Sequence, residues 1–580
     1  MVASPAEPDW TPPTRLGSAV FAAKSAVFQA RRGFEDLIGG PARHGRGEAP
    51  GFPAVVAQSI TPLWSDERQA EGGHQRGKVH NLRRACAALN GVQIPAGQVF
   101  SFWRQVGPAT RARGYASGRM LQQGCLVPST GGGLCQLSNA LYQAALDADC
   151  EIVERHGHSR VVPGSVAEVG RDATVAWNYV DLRFRPQQPL LIEARLTADQ
   201  LIIRMRAAQA TTRPLRAATP VIERALANVR TCSTCNEAAC FRHDRAKGAV
   251  VEDRTAWLVD ENWPEFQAYA AQACGPEDLL ATPFADAIAP TRYRWNAKGF
   301  QHRGSADVEA FSRVLALRRN WPTNAQRRQA ELDSAGKIAK RLARLAGPEV
   351  ERLVVAQSLL PFLWREGELG GRRYDVLMTR PPMDALQAWL DAAFTRHPDR
   401  KSLSDFRAPP WLAEAERAAL AGAARVITPH AAIADLFGAR AVEIPWSTPK
   451  PQTRSSDVQP RRIAFPGPTV ARKGAWEVRE AARALDLQVM LLGSELEGEG
   501  FWDGVRVMHP SGDWVDGVAA VVQPAVVEEQ PRRLLAALAA GVPVVATPAC
   551  GLRPREGLTI VPVGDAAALT TSLGRLFGNA

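Results

Sequence analysis

No stretch of this 580-residue chain approaches the roughly 18 uninterrupted apolar residues that would span a bilayer, so no transmembrane helix is expected. A secretory leader is not read either. Residues 2–16 hold four prolines and three charged groups, and no apolar segment follows them. The expected location is therefore the cytoplasm. Nine cysteines, an odd count in a large chain, argue against a disulfide framework and leave thiols free to act as ligands or nucleophiles. No internal period marks a solenoid. No basic stripe is interleaved with aromatics, so nucleic acid is not an expected partner.

What is present reads as ordinary globular protein, 46% hydrophobic and 22% charged. The length implies about three or four domains. A formal charge of +11 favours an anionic partner such as a nucleotide, a phosphorylated precursor or an acidic lipid. Residues 1–50, rich in Pro, Gly and charge, read as a partly ordered leader. Within them Ser18 to Gln29 has helical spacing, and Arg31 and Arg32 follow, a pattern suited to peripheral contact with an anionic membrane.

From Phe52 the texture is compact. Residues 51–210 read as an α+β domain. A helix is expected over Arg76 to Leu89, and strands over 151–163, over 173–185, where apolar and other residues alternate, and twice between Pro189 and Met205. Residues 211–250 form a Cys-rich polar connector. Beyond it short apolar runs alternate with helical stretches, the rhythm of parallel sheets covered on both faces. This divides into 251–450 and 451–580, with a Pro-rich junction at 445–461.

The stretch Gly131-Gly132-Gly133-Leu134-Cys135 opens a helix whose apolar face is Leu134, Leu137, Leu141 and Ala145. Cys135 falls in its first turn, where unpaired N–H groups and the helix dipole favour a thiolate. His156 and His158 lie two apart in the expected 151–163 strand, so both would project to one face and either would serve as the base. The N–H groups of Gly131, Gly132 and Gly133 would face an oxyanion. The alternative is a buried structural cysteine beside two histidines that hold backbone groups.

Four ordered segments, FSFWRQVGPATRARGY at 100–115, GGGLCQLSNALY at 131–142, ERHGHSR at 154–160 and GRDATVAWNYVDLRF at 170–184, resemble the VanW family. That family is named for an accessory protein encoded with vancomycin-resistance genes. Some members are associated with peptidoglycan L,D-transpeptidation. The resemblance implies that Cys135 is a nucleophile and His158 its likelier partner, with His156 second.

Cys232, Cys235, Cys240 and His243 have the form C-x2-C-x4-C-x2-H, the ligand set of a structural zinc site. An iron–sulfur cluster is the alternative, with Cys274 as a replacement ligand. A connector without a metal is the third reading.

Residues 462–565 resemble the donor-binding half of retaining GT-B glycosyltransferases of the family-4 group. The matching residues are Gly467, Arg472, Lys473 and Gly474, then Pro524 and Glu528, then the run from Leu534 to Thr547. The resemblance implies a pair of doubly wound, Rossmann-like domains, with 251–450 on the acceptor side and 451–580 on the donor side. Gly467, Arg472 and Lys473 would hold the phosphates of a nucleotide sugar, and Glu528 would sit near its sugar or nucleotide. Two departures stand out. Ala536 occupies the place of the family's second glutamate, and Arg472 and Lys473 are adjacent.

Together these readings predict transfer of a sugar from a nucleotide donor to a cell-envelope glycan or glycopeptide precursor, at or near the inner membrane face. A cysteine-dependent acyl or peptidyl transferase with a ligand-binding C-terminal half is the second reading. A metal-stapled scaffold is the third.

Overall fold

The computed structural model describes residues 14–47, 49–64, 72–122, 125–158, 170–210, 213–217, 230–231, 240–241, 254–405, 407–450, 458–510 and 513–578. The chain divides into two compact units. The first holds residues 1–256 with 343–353 and 365–373, and the second holds the remainder.

In the first unit a long helix α1 (Arg15–Gly39) precedes β1 (Ala54–Pro62), α2 (Gly72–Leu89), β2 (Val92–Ile94), β3 (Phe100–Ser101) and α3 (Phe102–Val106). A hairpin of β4 (Ser117–Gln122) and β5 (Cys125–Thr130) leads to α4 (Leu134–Asp147). The unit continues with β6 (Glu151–Glu154), β7 (Arg183–Arg185), β8 (Leu190–Leu196), β9 (Gln200–Ala207) and β10 (Arg230–Thr231). Its main sheet has the order β1-β9-β8-β2 and is antiparallel throughout. Along β9 the buried positions Leu201, Ile203, Met205 and Ala207 alternate with more exposed ones, as a sheet with one covered face requires. The cover is α2 and α4. Leu82 and Leu89 of α2 and Leu137 and Leu141 of α4 are fully buried, each worth about 1.5–3 kcal/mol of apolar burial. A second small sheet, β3-β7-β6, is pinned by Phe100 stacked on Phe184 at 4.6 Å.

Two expected strands differ. The strand at 151 ends at Glu154, and of 173–185 only Arg183–Arg185 is strand. Side chains of α4 capture the intervening backbone instead: Asn139 Oδ1 accepts from the Ala173 N–H at 2.7 Å, and Ser138 Oγ donates to the Ala173 carbonyl at 2.5 Å. The Thr174 N–H goes to the His156 carbonyl at 2.8 Å, and a bridge between Ala176 and Val180 closes a turn. Tertiary hydrogen bonds thus override the alternating pattern.

The second unit contains most of two doubly wound α/β halves; of their elements, residues 254–256, 343–345, 350–353, 365 and 373 belong to the first unit. The first is built on β11 (Arg254–Leu258), α5 (Pro264–Ala273), β12 (Leu279–Thr282), β13 (His302–Ser305), α6 (Asp307–Arg318), α7 (Asn324–Leu345), β14 (Val350–Ala356), α8 (Leu360–Arg365), β15 (Arg373–Leu377), α9 (Met383–Arg396), α10 (Pro410–Gly422), β16 (Arg425–Thr428), α11 (Ala431–Phe437) and β17 (Ala441–Glu443). Its sheet order is β13-β12-β11-β14-β15-β16-β17. The second half comprises β18 (Arg462–Phe465), α12 (Ala475–Ala484), β19 (Gln488–Leu491), β20 (Arg506–Met508), β21 (Ala520–Gln523), α13 (Arg532–Ala539), β22 (Val544–Ala546), β23 (Leu558–Ile560) and α14 (Ala566–Leu576). Its order is β20-β19-β18-β21-β22-β23, every neighbour parallel. In both halves the chain order reverses beside the first strand. Ligands of open parallel sheets bind at that switch point, beyond the carboxyl ends of the strands. In the second half it falls between β18 and β21.

Candidate active site

The first site is organised by the entry to α4. Gly133 caps the helix at φ 99°, and a Cβ there would meet Lys78 Cγ at 2.1 Å, so the position admits no side chain. Buried Asn81 clamps the loop. Its Nδ2 donates to the carbonyls of Ala116 and Gly132 at 3.0 Å each, and its Oδ1 accepts from the Ala116 N–H at 2.8 Å. The N–H groups of Gly131 and Gly132 are spent within the fold, on Ala116 O at 3.0 Å and Ser129 O at 2.9 Å. This corrects the expectation that all three glycines face an oxyanion. The loop glycines instead allow backbone contact with β4, since a Cβ on Gly132 would lie 2.6 Å from the Gly118 carbonyl carbon.

Cys135 is the second residue of α4 and is partly buried. Its sulfur lies 3.5 Å from Thr174 Oγ1 and 3.8 Å from the Val175 carbonyl oxygen. Burial pushes the thiol pKa up. Hydrogen bonding from His158 and from the Thr174 hydroxyl outweighs it and holds the thiol below its ordinary value. The interaction with Cys135 raises His158 to about 9, against burial and with further help from Asp172. His158 Nδ1 donates to Asp172 Oδ2 at 2.7 Å, and the His158 backbone N–H donates to the same oxygen at 2.7 Å. Arg155 completes the support: Nη2 reaches Asp172 Oδ1 at 2.5 Å and Nε reaches the Asp172 carbonyl at 2.7 Å. Burial works against the Asp172 carboxylate, and the donors from His158 and the charge of Arg155 overcome it, so its pKa is lowered.

The result is a sulfur, an imidazole and an orienting carboxylate in series, the arrangement that activates a cysteine nucleophile. Because β6 stops at Glu154, the two histidines do not share a face. His156 is exposed, with Nε2 3.2 Å from Glu154 Oε1, while His158 turns to Asp172 and Cys135. Sequence reasoning did not single out Asp172. Its signal was an acid inside the GRDATVAW segment, and nothing in the local pattern tied it to His158, 14 residues earlier.

The second site lies at the switch point of the six-stranded sheet. The loop after β18 carries Gly467, Arg472 and Lys473 and ends at Gly474, which caps α12 at φ 85°. A Cβ on Gly467 would sit 3.1 Å from Lys473 Cβ. Lys473 Nζ pairs with Glu528 Oε2 at 3.0 Å and also donates to the Val527 carbonyl at 3.1 Å. Gln523 donates to the same carboxylate oxygen, and the Gln530 N–H donates to Glu528 Oε1 at 3.0 Å. The Arg472 carbonyl accepts the Val526 N–H at 2.9 Å. His430 is fully buried with Nε2 2.8 Å from the Glu528 carbonyl oxygen, and burial lowers its pKa.

Ala536 is partly buried on α13 and supplies no carboxylate. Arg532, one turn before it, pairs with buried Glu265 of α5 at 2.7 Å through Nη2. Its guanidinium lies over the rings of Trp263 and Trp446, at 5.4 and 5.3 Å. This clasp joins the two halves of the unit.

Of the four expected metal ligands, Cys232, Cys235 and His243 lie outside the described residues. Cys240 is described and buried. Among the described residues no group of His, Cys, Asp or Glu is arranged to hold a metal ion.

Two protein classes match these two sites. Residues 77–206 match the family model described as VanW like protein, and residues 470–579 match the one described as Glycosyl transferases group 1. Among individual proteins, the chain is 38% identical over 130 residues to the uncharacterized protein YoaR of Bacillus subtilis, covering 22% of this chain and 42% of that protein. It is 37% identical over 153 residues to the vancomycin B-type resistance protein VanW of Enterococcus faecalis, covering 26% of this chain and 55% of that protein. The chain thus spans about half the length of the curated relatives it matches. Similar solved structures include a sucrose-phosphate synthase from Thermosynechococcus elongatus, with 14% identity, 57% of this chain and 90% of that chain covered, and a TM-score of 0.35. Another is HepE of Anabaena in complex with UDP and glucose, with 12% identity, 57% and 90% covered, and a TM-score of 0.33. The chain carries a VanW domain followed by a glycosyltransferase-like module.

Proposed function

We propose that the VanW domain is a thiol-dependent acyl or peptidyl transferase, L,D-transpeptidase-like, acting on a cell-envelope glycopeptide precursor. The observation that carries this reading is the Cys135–His158–Asp172 series. The Cys135 thiolate attacks the substrate carbonyl carbon and forms a C–S bond. His158, held as a cation by Asp172, gives its Nε2 proton to the departing amine as the C–N bond breaks. An incoming amine then attacks the thioester, His158 takes back the proton, and the thiolate leaves. In this scheme the Leu134 and Cys135 N–H groups at the start of α4 would face the developing oxyanion, since the Gln136 N–H is spent on the Gly133 carbonyl at 3.1 Å. The test is intact-protein mass spectrometry after incubation with envelope stem peptides. A thioester adduct on Cys135 is expected. Absence of any adduct, with undiminished product from Cys135→Ser, sinks the proposal.

The GT-B-type module supports a second reading, glycosyl transfer of the retaining type from a nucleotide sugar to the same class of precursor. The favouring observation is Lys473 and Glu528 at the switch point, where a diphosphate and a sugar would lie. Ala536 leaves the ribose without the usual carboxylate, so binding without transfer is the alternative outcome. Calorimetric titration with a panel of nucleotide sugars separates binding from none, and release of free nucleotide separates transfer from binding. A zinc ion held by Cys232, Cys235, Cys240 and His243 would staple the connector, with iron–sulfur as the rival cluster. Metal analysis of the protein and of Cys232→Ser tests both. The setting proposed for all of this is the cytoplasmic face of the envelope.

A further inference from the structure

Helix α1 buries none of its 25 residues. Leu16, Val20, Val27, Phe34 and Ile38 recur at spacings of 4, 7, 7 and 4, and Leu37 lies beside them, so all six share one stripe. The stripe faces away from the protein: Leu16 is 76% exposed, Val27 67%, Phe34 65%, Leu37 82% and Ile38 73%. The opposite face is fixed to the VanW domain. Ser25 Oγ lies 3.3 Å from the Tyr179 hydroxyl, Phe28 stacks on the Tyr179 ring at 5.8 Å, Arg32 pairs with Glu154, and Asp36 pairs with Arg183 at 2.8 Å. These anchors sit on the segments that flank His158 and Val175 in the chain.

The rim of the stripe is basic. Lys24 and Arg31 border it, Arg31 paired with Glu35 at 2.8 Å, and α1 carries four Lys or Arg against two acids. Among the described residues no helix is long and apolar enough to cross a membrane. A docked helix with an outward apolar stripe and a cationic rim is the pattern of an in-plane interfacial helix. We infer that α1 seats on an anionic lipid surface, with its apolar stripe in the acyl boundary and Lys24 and Arg31 at the headgroups, holding the Cys135 domain at that surface.

The test is sedimentation of the full chain with vesicles of phosphatidylglycerol and phosphatidylcholine in equal parts, beside vesicles of phosphatidylcholine alone. Partition into the anionic vesicles is expected, weakening as salt rises. The pair Phe34→Glu with Leu37→Glu is expected to lower it about tenfold, and Lys24→Ala with Arg31→Ala severalfold. Thermal melts of these variants should match the parent, because the altered side chains are exposed. Cys135→Ser should bind vesicles like the parent, which separates this inference from the thiol chemistry. Absence of partition into anionic vesicles overturns it, as does partition unchanged by the glutamate pair. A lipid-free dimer that the glutamate pair dissolves, with no vesicle binding, also overturns it and assigns the stripe to a second copy.

Discussion

At the head of α4, Gly133 turns at φ 99° into a helix whose second residue is Cys135; at the head of α12, Gly474 turns at φ 85° into a helix preceded by Lys473. Each glycine-ended loop presents one reactive group. The partners differ in kind. Cys135 faces His158, whose pKa is raised to about 9 first by Cys135 itself and then by a third group, Asp172. Lys473 faces Glu528, whose carboxylate also takes N–H donors from Gln523 and Gln530. The first pair joins a thiol to an imidazole, which can each give or take a proton, whereas the second is an ion pair whose geometry suits holding a ligand. A loop–helix frame therefore fixes where a group sits. The titration behaviour of its partner decides whether the place does chemistry.

The sharpest way to break this contrast is Cys135→Ala. It is expected to lower transfer from stem peptides by about a thousandfold or more, while leaving nucleotide binding intact, read by product chromatography. Asp172→Asn comes next, with a loss of about 100- to 10,000-fold, because the imidazole loses its orienting anion. Its signature is in the pH profile of iodoacetamide alkylation. In the parent the acid limb is expected below the ordinary thiol value of 9.0, and the alkaline limb of the proposed transfer near 9, where His158 loses its proton. In the variant the alkaline limb is expected to move only part of the way down from about 9, because Cys135, the larger cause of the rise, is still present. The same shift enters stability with a definite sign. His158 is raised, so its contribution is complete below about 6.5 and is lost as pH rises through about 9. Asp172 is lowered, so its contribution is present above 3.8 and is lost as pH falls through its folded value. Denaturant midpoints across pH, compared between the parent and Asp172→Asn, check both signs.

Asn81→Ala tests the frame rather than the chemistry. Removing the buried clamp takes the Asn81 partner from the Gly132 carbonyl and the Ala116 N–H, and one of two donors from the Ala116 carbonyl, and should cost about 2–4 kcal/mol in urea unfolding. Lys473→Ala should leave the thiol chemistry unchanged. It is expected to weaken nucleotide-sugar binding about tenfold and to cost about 1–3 kcal/mol by stripping the buried Glu528 of its cation. Ala536→Glu carries the smallest effect, a few-fold gain in nucleotide affinity if the missing carboxylate is what limits the second site. No gain, with Lys473→Ala also silent, would assign that module a role other than nucleotide binding.

Much of this organisation was legible in residue order. The α4 face of Leu134, Leu137, Leu141 and Ala145, all buried but for the small edge of Leu134, follows from helical period alone. So do the parallel strands from Arg462 onward and the placement of Cys135 in a first helical turn. The segment 173–182 was not legible. Its alternating residues imitate a strand, but Ser138 and Asn139 of α4 hold its backbone at Ala173 out of a strand, and no local rule reports the pull of a helix more than 30 residues away.

Chain order and side-chain type by themselves determined the helices, the parallel βα rhythm, the glycine at the head of α4 and the thiol beside it, because these depend on neighbours a few residues apart. Only the tertiary structure decided which histidine serves the sulfur, that Asp172 and Arg155 stand behind it, that two of the three loop glycines spend their N–H groups within the fold, and that one stripe of α1 is left outward. Each of these depends on groups brought together from distant positions, where hydrogen-bond geometry and burial, rather than periodicity, select the partner.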